Sequence, residues 1–149
     1  MEKSSSEETR RARDLEGMLI CRSAVEDILD HARYEAPNEC CGFLLGGRDT
    51  IEEGVRARSL TPSPNRYLVD PRDHFAVIRR ARIKGCCVVG TYHSHPTSVA
   101  IPSAVDMEQA NYEEYLYVIV SLLTNPNGGP IGAFRLVRGE FQRVDLEAC

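Results

Sequence analysis

The chain has 149 residues, 42% of them hydrophobic and 27% charged, proportions of an ordinary globular protein with room for one domain. Its net charge of −4 argues against the basic face of a general nucleic-acid binder. No apolar run approaches the roughly 20 residues of a membrane-spanning helix.

Residues 1–16 hold five acids and four bases with little apolar content, the composition of a disordered leader. They contain no apolar segment of the secretory kind. A cytoplasmic setting with reduced thiols is therefore expected. The folded domain is expected over residues 17–149. Met18–Cys21 reads as a first strand. Ser23 and Glu26 have the spacing of a capping box, and Val25, Ile28, Leu29 and Ala32 fall on one helical face. Pro37 and Asn38 end that helix. Cys40–Gly46 is a continuous apolar run, expected to be a buried strand. A turn at 46–49 leads to a hairpin partner over Ile51–Leu60.

A loop at 61–65 and a short strand at Tyr67–Val69 follow. Asp70 and Pro71 then supply an N-cap and a first-turn proline for a helix over 71–84, which Gly85 closes. Cys86–Tyr92 is a second buried strand, with His93 and His95 at its end. Ser103 starts a weaker helix to about Tyr112. Tyr115–Leu123 is a strand, and Ile131–Val137 with Phe141–Leu146 form a closing hairpin around Arg138–Glu140. The alternation of strands and helices indicates a single mixed α/β domain.

The six cysteines include no CxxC pair, so neither a zinc ribbon nor a thioredoxin-type motif is supported. The adjacent pairs Cys40-Cys41 and Cys86-Cys87 sit in apolar runs. Neighbours on a strand point to opposite faces, so these thiols read as small buried hydrophobes. His31 and His74 lie on helices without a matching set of ligands, and surface or cap-like roles are expected for both.

His93 and His95 are different. At i and i+2 on a strand, both imidazoles share one face. Asp106 follows after a loop. Two imidazoles and a carboxylate suit zinc, with a fourth position left for water. The plainer alternatives are that a short His-x-His is weak alone, and that Ser103-x-x-Asp106 is itself a helix-capping pattern. Glu39 alone reads equally well as a solvated turn residue. Pro96 and Pro102 fix the backbone at either end of the connecting loop. Gly42 and Gly90 allow close backbone approach. Ser94 is expected to face the other side of its strand in a structural role.

The full pattern, His93-x-His95-Pro96-x6-Ser103-x2-Asp106, resembles the signature of the JAMM (MPN+) zinc metallopeptidases. The upstream run Pro37-Asn38-Glu39-Cys40-Cys41-Gly42-Phe43-Leu44-Leu45-Gly46 matches that family's glutamate box. The resemblance covers residues 18–146 in order and spacing. It implies a mixed, curved β-sheet flanked by helices, with a layout like that of cytidine deaminases. It also implies that His93, His95 and Asp106 bind zinc. Glu39 would be general base and then general acid, and Ser103 would stabilise the oxyanion.

The implied reaction is hydrolysis of an amide bond after the C-terminal Gly-Gly of a ubiquitin-like or sulfur-carrier protein. Only eight residues separate Asp106 from Tyr115, too few for the insertions that hold two ubiquitins in eukaryotic relatives, so the compact prokaryotic type is expected. Sulfur-carrier processing is the preferred activity. A deconjugating isopeptidase for ubiquitin-like modifiers and a non-catalytic MPN scaffold are the alternatives. A thiol hydrolase built on Cys40 or Cys41 is a further one, opposed by their apolar neighbours.

Overall fold

In a computed structural model of the chain, residues 17–149 are described. The leader expected over 1–16 lies outside the described residues. The elements in order are β1 (Met18–Ile20), α1 (Arg22–Glu35), β2 (Cys41–Gly46), β3 (Thr50–Ala57), α2 (Pro71–Lys84), β4 (Cys87–His95), α3 (Ala104–Gln109), β5 (Leu116–Ser121), β6 (Ile131–Val137), β7 (Glu140–Val144) and β8 (Leu146–Ala148). No helix among the described residues is long and apolar enough to cross a membrane.

All eight strands form one mixed sheet in the order β7-β6-β5-β4-β2-β3-β1-β8. β1 runs parallel to β3 and β8, and β4 runs parallel to β5. The other neighbours are antiparallel. The last two strands lie at opposite ends of this order, yet only Asp145 separates them. The sheet must therefore curl until its two edges approach each other. The closing hairpin expected to end at Leu146 instead splits there. Val144 still pairs with Ala133, while Leu146 pairs with Met18 across the seam.

Side-chain alternation sorts the core onto two faces. Leu116, Val118 and Val120 of β5 join Leu44, Tyr92 and the α1 residues Ala24, Ile28 and Ala32 in the largest cluster. Tyr117 and Ile119 pack on the opposite side with Ala100 and Phe134. Cys41, Phe43 and Leu45 pack beneath Val77 and Ala81 of α2. Gly42 and Gly90 are places of close approach, as expected. A Cβ at Gly42 would collide with the Tyr92 ring, and one at Gly90 with the Leu116 carbonyl.

Several local expectations need correction. α1 begins two residues earlier than a Ser23 cap would allow. Its N-cap is Cys21, with extended backbone and no side-chain cap bond, so the Ser23–Glu26 box does not form. Tyr67–Val69 is not a strand; its only pairing is an isolated bridge between Val69 and Ser59. α3 stops at Gln109, because Ala110 is extended. Cys40 and Cys41 are buried in different clusters, as alternation requires. Cys86 is only half-buried and Cys87 is exposed. β5 pairs with β4 only from Gly90 onward, which leaves that end of the strand uncovered. α2 is capped as read: Asp70 accepts from the Arg72 N–H at 3.0 Å, Pro71 opens the helix, and Gly85 ends it in the left-handed region.

His31 is not a surface residue. It is 2% exposed, and its Nδ1 lies 2.7 Å from the Tyr92 hydroxyl. Burial, aided by Arg56, lowers its pKa to about 4, although Glu35 lies 3.9 Å from Nε2. The folded value lies below the ordinary 6.5, so the unfolded chain takes up the proton more readily. The contribution to stability is complete above about pH 6.5 and is lost as the pH falls toward 4. The loss reaches about 3 kcal/mol at most. An NMR titration should find the His31 ring neutral at pH 5; a midpoint near 6.5 would contradict this account.

Candidate metal centre

β4 carries the site. Its pairing with β2 shifts register between Leu44 and Leu45, which face Gly90 and Val88. Val89 is thus an extra residue, a bulge that reverses the phase of the strand beyond it. From Gly90 onward the even-numbered residues face α1. Tyr92 reaches His31, and the Ser94 Oγ accepts from the Cys40 N–H at 2.8 Å. The odd-numbered residues His93 and His95 face the other way, toward α3. Ser94 therefore has the structural role expected of it. It ties β4 to the residue that follows Glu39.

Glu39, His93, His95 and Asp106 each offer one ligand atom, and these atoms lie within 4.8 Å of one another. All four residues are buried. The two Nε2 atoms are 3.3 Å apart, and the Asp106 Oδ2 lies 3.1 Å from that of His93 and 3.0 Å from that of His95. Ligands held at about 2.0–2.1 Å around a tetrahedral zinc are themselves about 3.3 Å apart. The observed triangle has that size, so the donor set fits a small divalent metal.

The surrounding contacts orient these side chains. The His95 Nδ1 lies 2.8 Å from the Val99 carbonyl oxygen. A carbonyl can only accept, so Nδ1 carries a proton and Nε2 is the atom that faces the site: it donates to Asp106 when the ring is protonated and would offer its lone pair to a metal. Tyr67 packs its ring on His93, with centroids 4.7 Å apart. Asp106 belongs to a capping box: its N–H donates to the Ser103 Oγ at 3.1 Å, and its Oδ2 accepts from the Ser103 N–H at 2.9 Å. Burial alone would raise the Asp106 carboxyl; hydrogen bonds from both imidazoles and from Ser103 outweigh it and hold the group well below the usual carboxylate range. His93 is lowered by burial, whereas in His95 the pull of Asp106 and Val99 outweighs burial.

Glu39 is 5% exposed, not a solvated turn residue. Its backbone N–H donates to the Ser63 carbonyl at 2.8 Å. Its Oε1 is buried without a hydrogen-bond partner. Burial first, and then the nearby Asp106 charge, push its pKa up to about 7. A buried, unpartnered carboxylate oxygen beside two imidazoles is costly unless something polar meets it. A polar group brought in with a bound metal or substrate would meet it there.

The structure brings together Glu39, His93, His95 and Asp106, and joins Ser103 to them through Asp106. Sequence reasoning missed Tyr67, Ser63 and Val99. The first two lie on the 58–70 connection, a strap with both ends fastened. Arg58 pairs with Asp73 at 3.1 Å and Arg72 with Asp70 at 2.8 Å. The Leu60 N–H donates to the Leu68 carbonyl at 2.7 Å. Opposite charges at 58, 70, 72 and 73 were the signal available, but their pairing depends on the fold. Beside the strap, a groove of about 390 Å³ opens between Tyr67, Phe43, His74 and Tyr112. His74, expected at the surface, is half-buried there. It stacks on Phe43 with centroids 4.9 Å apart, and its Nε2 lies 3.0 Å from the Tyr115 hydroxyl.

Residues 22–137 match a family model described as prokaryotic homologs of the JAB domain. A desampylase of Haloferax volcanii is 35% identical over 111 residues, covering 70% of this chain and 80% of its own. A CysO-cysteine peptidase of Mycobacterium tuberculosis is 31% identical over 124 residues, covering 82% and 84%. The crystal structure of a JAB1/MPN domain protein from Archaeoglobus fulgidus superposes with a TM-score of 0.61 at 21% identity, covering 89% of this chain and 98% of the other. The family resemblance and the mixed α/β fold class read from the sequence are borne out.

The ligand geometry makes a direct prediction. The purified chain should take up one equivalent of a divalent transition metal, measured by elemental analysis after dialysis. His93→Ala should retain less than a tenth of it. Full retention by that variant would remove His93 from the ligand set.

Proposed function

The chain belongs to the prokaryotic JAB-domain family, and from that premise we propose that it is a zinc peptidase. Its bond of choice is the amide after the C-terminal Gly-Gly of a sulfur-carrier or ubiquitin-like protein. The observation that carries this reading is the convergence of His93, His95 and Asp106 beside the unpartnered Glu39 carboxylate. The CysO-cysteine peptidase and the desampylase among its relatives support the substrate class. A non-catalytic scaffold would need none of these groups, and all are in place. We infer a cytoplasmic location, where reduced thiols are the resting state of cysteines such as these.

His93, His95 and Asp106 would hold the zinc, whose bound form acts as a Lewis acid and lowers the pKa of its water toward about 7. Glu39 takes the proton of the attacking water at Oε1, the atom with no competing bond. It then delivers that proton to the leaving amine. Glu39 stays outside the ligand set, so its charge remains available for the transfer. The Ser103 Oγ already accepts from the Asp106 N–H. Its own proton is therefore free to donate to the scissile carbonyl oxygen as negative charge develops. The buried walls around these groups limit competing water.

A tail ending in two glycines suits the groove beside the strap, because glycine lacks a side chain and fits between Tyr67, which packs on His93, and Tyr112. An extended tail also presents backbone groups for pairing with exposed sheet edges or the strap.

Two outcomes test the reading. Glu39→Gln should bind metal as the parent does and lose at least about 10²-fold in kcat; unimpaired turnover would remove Glu39 as the base. The metal-loaded chain should cut carrier proteins bearing residues after Gly-Gly, with mass spectrometry placing the cut after the second glycine. Cleavage only of lysine-linked conjugates would favour the deconjugating alternative.

A further inference from the structure

The metal site leaves the thiols unused, and one pair of them has a geometry of its own. The Cys149 N–H donates to the Ile20 carbonyl at 2.9 Å, and the Arg22 N–H donates to the Cys149 carbonyl at 3.4 Å. Two such bonds, flanking position 21, make Cys21 and Cys149 direct partners in a parallel ladder. They continue the β1–β8 register, in which Ile20 faces Ala148. Facing residues project their side chains from the same side of the sheet. Neighbouring strands lie about 4.7–4.9 Å apart, inside the Cα separation of about 4.4–6.8 Å that a disulfide accepts.

None of the other four cysteines faces another thiol in this way. Cys41 faces His93 and Cys87 faces Gly46. Cys40 is buried, and the neighbours Cys86 and Cys87 are adjacent in sequence. Access is also suitable: Cys21 is half-buried and Cys149 is exposed.

We propose that Cys21 and Cys149 form a reversible intramolecular disulfide by exchange with a low-molecular-weight disulfide. The Cys149 thiolate attacks the small disulfide, forms a mixed disulfide and releases one small thiol. The Cys21 sulfur then attacks the Cys149 sulfur and releases the second. Two protein thiols lose two electrons, the small disulfide gains them, and the two protons leave with the two small thiols. Burial and the neighbouring Cys149 thiol raise the Cys21 thiol above its ordinary value, which leaves the exposed Cys149 as the first attacker.

The bond would act as a clasp. β8 is three residues long, lies at the end of the sheet order and pairs only with β1. Short edge elements of this kind open most easily. A covalent link from the residue that follows β8 to the N-cap of α1 would close nearly the whole described chain into one loop, and closing long loops constrains the unfolded state most. The clasp lies three strands from β4 in the sheet order, so it would set stability apart from the chemistry.

The test uses the full, metal-loaded chain equilibrated with glutathione disulfide, then denatured and alkylated with N-ethylmaleimide. The six cysteines should yield four adducts, with one cross-linked peptide pair containing Cys21 and Cys149. The thermal midpoint of the oxidised chain should rise by about 5 °C or more. Cys149→Ser, a change at an exposed position, should keep all its remaining thiols alkylatable and show no such rise. Six adducts at saturating oxidant would overturn the proposal. So would closure between other cysteines, arrest as a mixed disulfide, or a cross-link that leaves the midpoint unchanged.

Discussion

The site depends on the phase of β4. A strand offers alternate residues to opposite faces, so a shift of one residue exchanges every side chain between them. The extra residue Val89 makes that shift next to Gly90. Without it, His93 and His95 would point toward α1, and Tyr92 and Ser94 would occupy the position of the two imidazoles. Gly90 makes the arrangement possible, because a side chain there would collide with the Leu116 carbonyl and break the β4–β5 pairing. Four successive residues then do two different jobs. Tyr92 and Ser94 fix the strand to α1 and to Cys40, while His93 and His95 are held facing outward by those same contacts.

The electrostatics follow from this placement. Two carboxyls and two imidazoles sit almost fully buried within a few ångströms. Such a group is tolerable only where each charge is met by a donor or a cation. Asp106 meets that condition within the chain, through both imidazoles and the Ser103 N–H. Glu39 does not, and the contrast divides their roles. The well-paired carboxylate is suited to remain a ligand. The poorly paired one is suited to take and release a proton.

The spacing of His93, His95, Ser103 and Asp106 was legible because a strand followed by a capped helix converts sequence distance into position with little freedom. Glu39 was legible only through the family pattern, since nothing local says that the end of α1 returns beside β4. The long apolar and capped elements were legible for the same local reasons. α2 has its proline, its Asp70 cap and its Gly85 stop where they were read. His31 was misread because its neighbours on α1 are charged, and only the Tyr92 hydroxyl on a distant strand explains an imidazole in the core. Cys87 was misread in the opposite sense: its apolar neighbours implied burial, but the strand that covers β4 begins three residues later. Tyr67 and Ser63 had no periodic signal at all. They reach the site on a connection whose ends are joined to each other, the Asp70 N–H donating to the Arg58 carbonyl, and whose middle is held by the Glu39 N–H on the Ser63 carbonyl and by the Tyr67 ring on His93.

The two readings of Ser103-x-x-Asp106, a helix cap and a proposed metal ligand, are compatible in one arrangement. α3 has only six residues and could hardly persist by propensity alone. Its capping box stabilises the first turn, and the Asp106 oxygen that accepts from the Ser103 N–H is the one that faces both imidazoles. The cap therefore fixes the rotamer of Asp106, and the imidazoles that meet its carboxylate hold the cap in place. The same box sets the Ser103 hydroxyl, which accepts from the Asp106 N–H and spends none of its own proton on the cap. A short helix with one buried side chain, Asp106, thus fixes at this point of the fold both the carboxylate beside the imidazoles and the Ser103 hydroxyl.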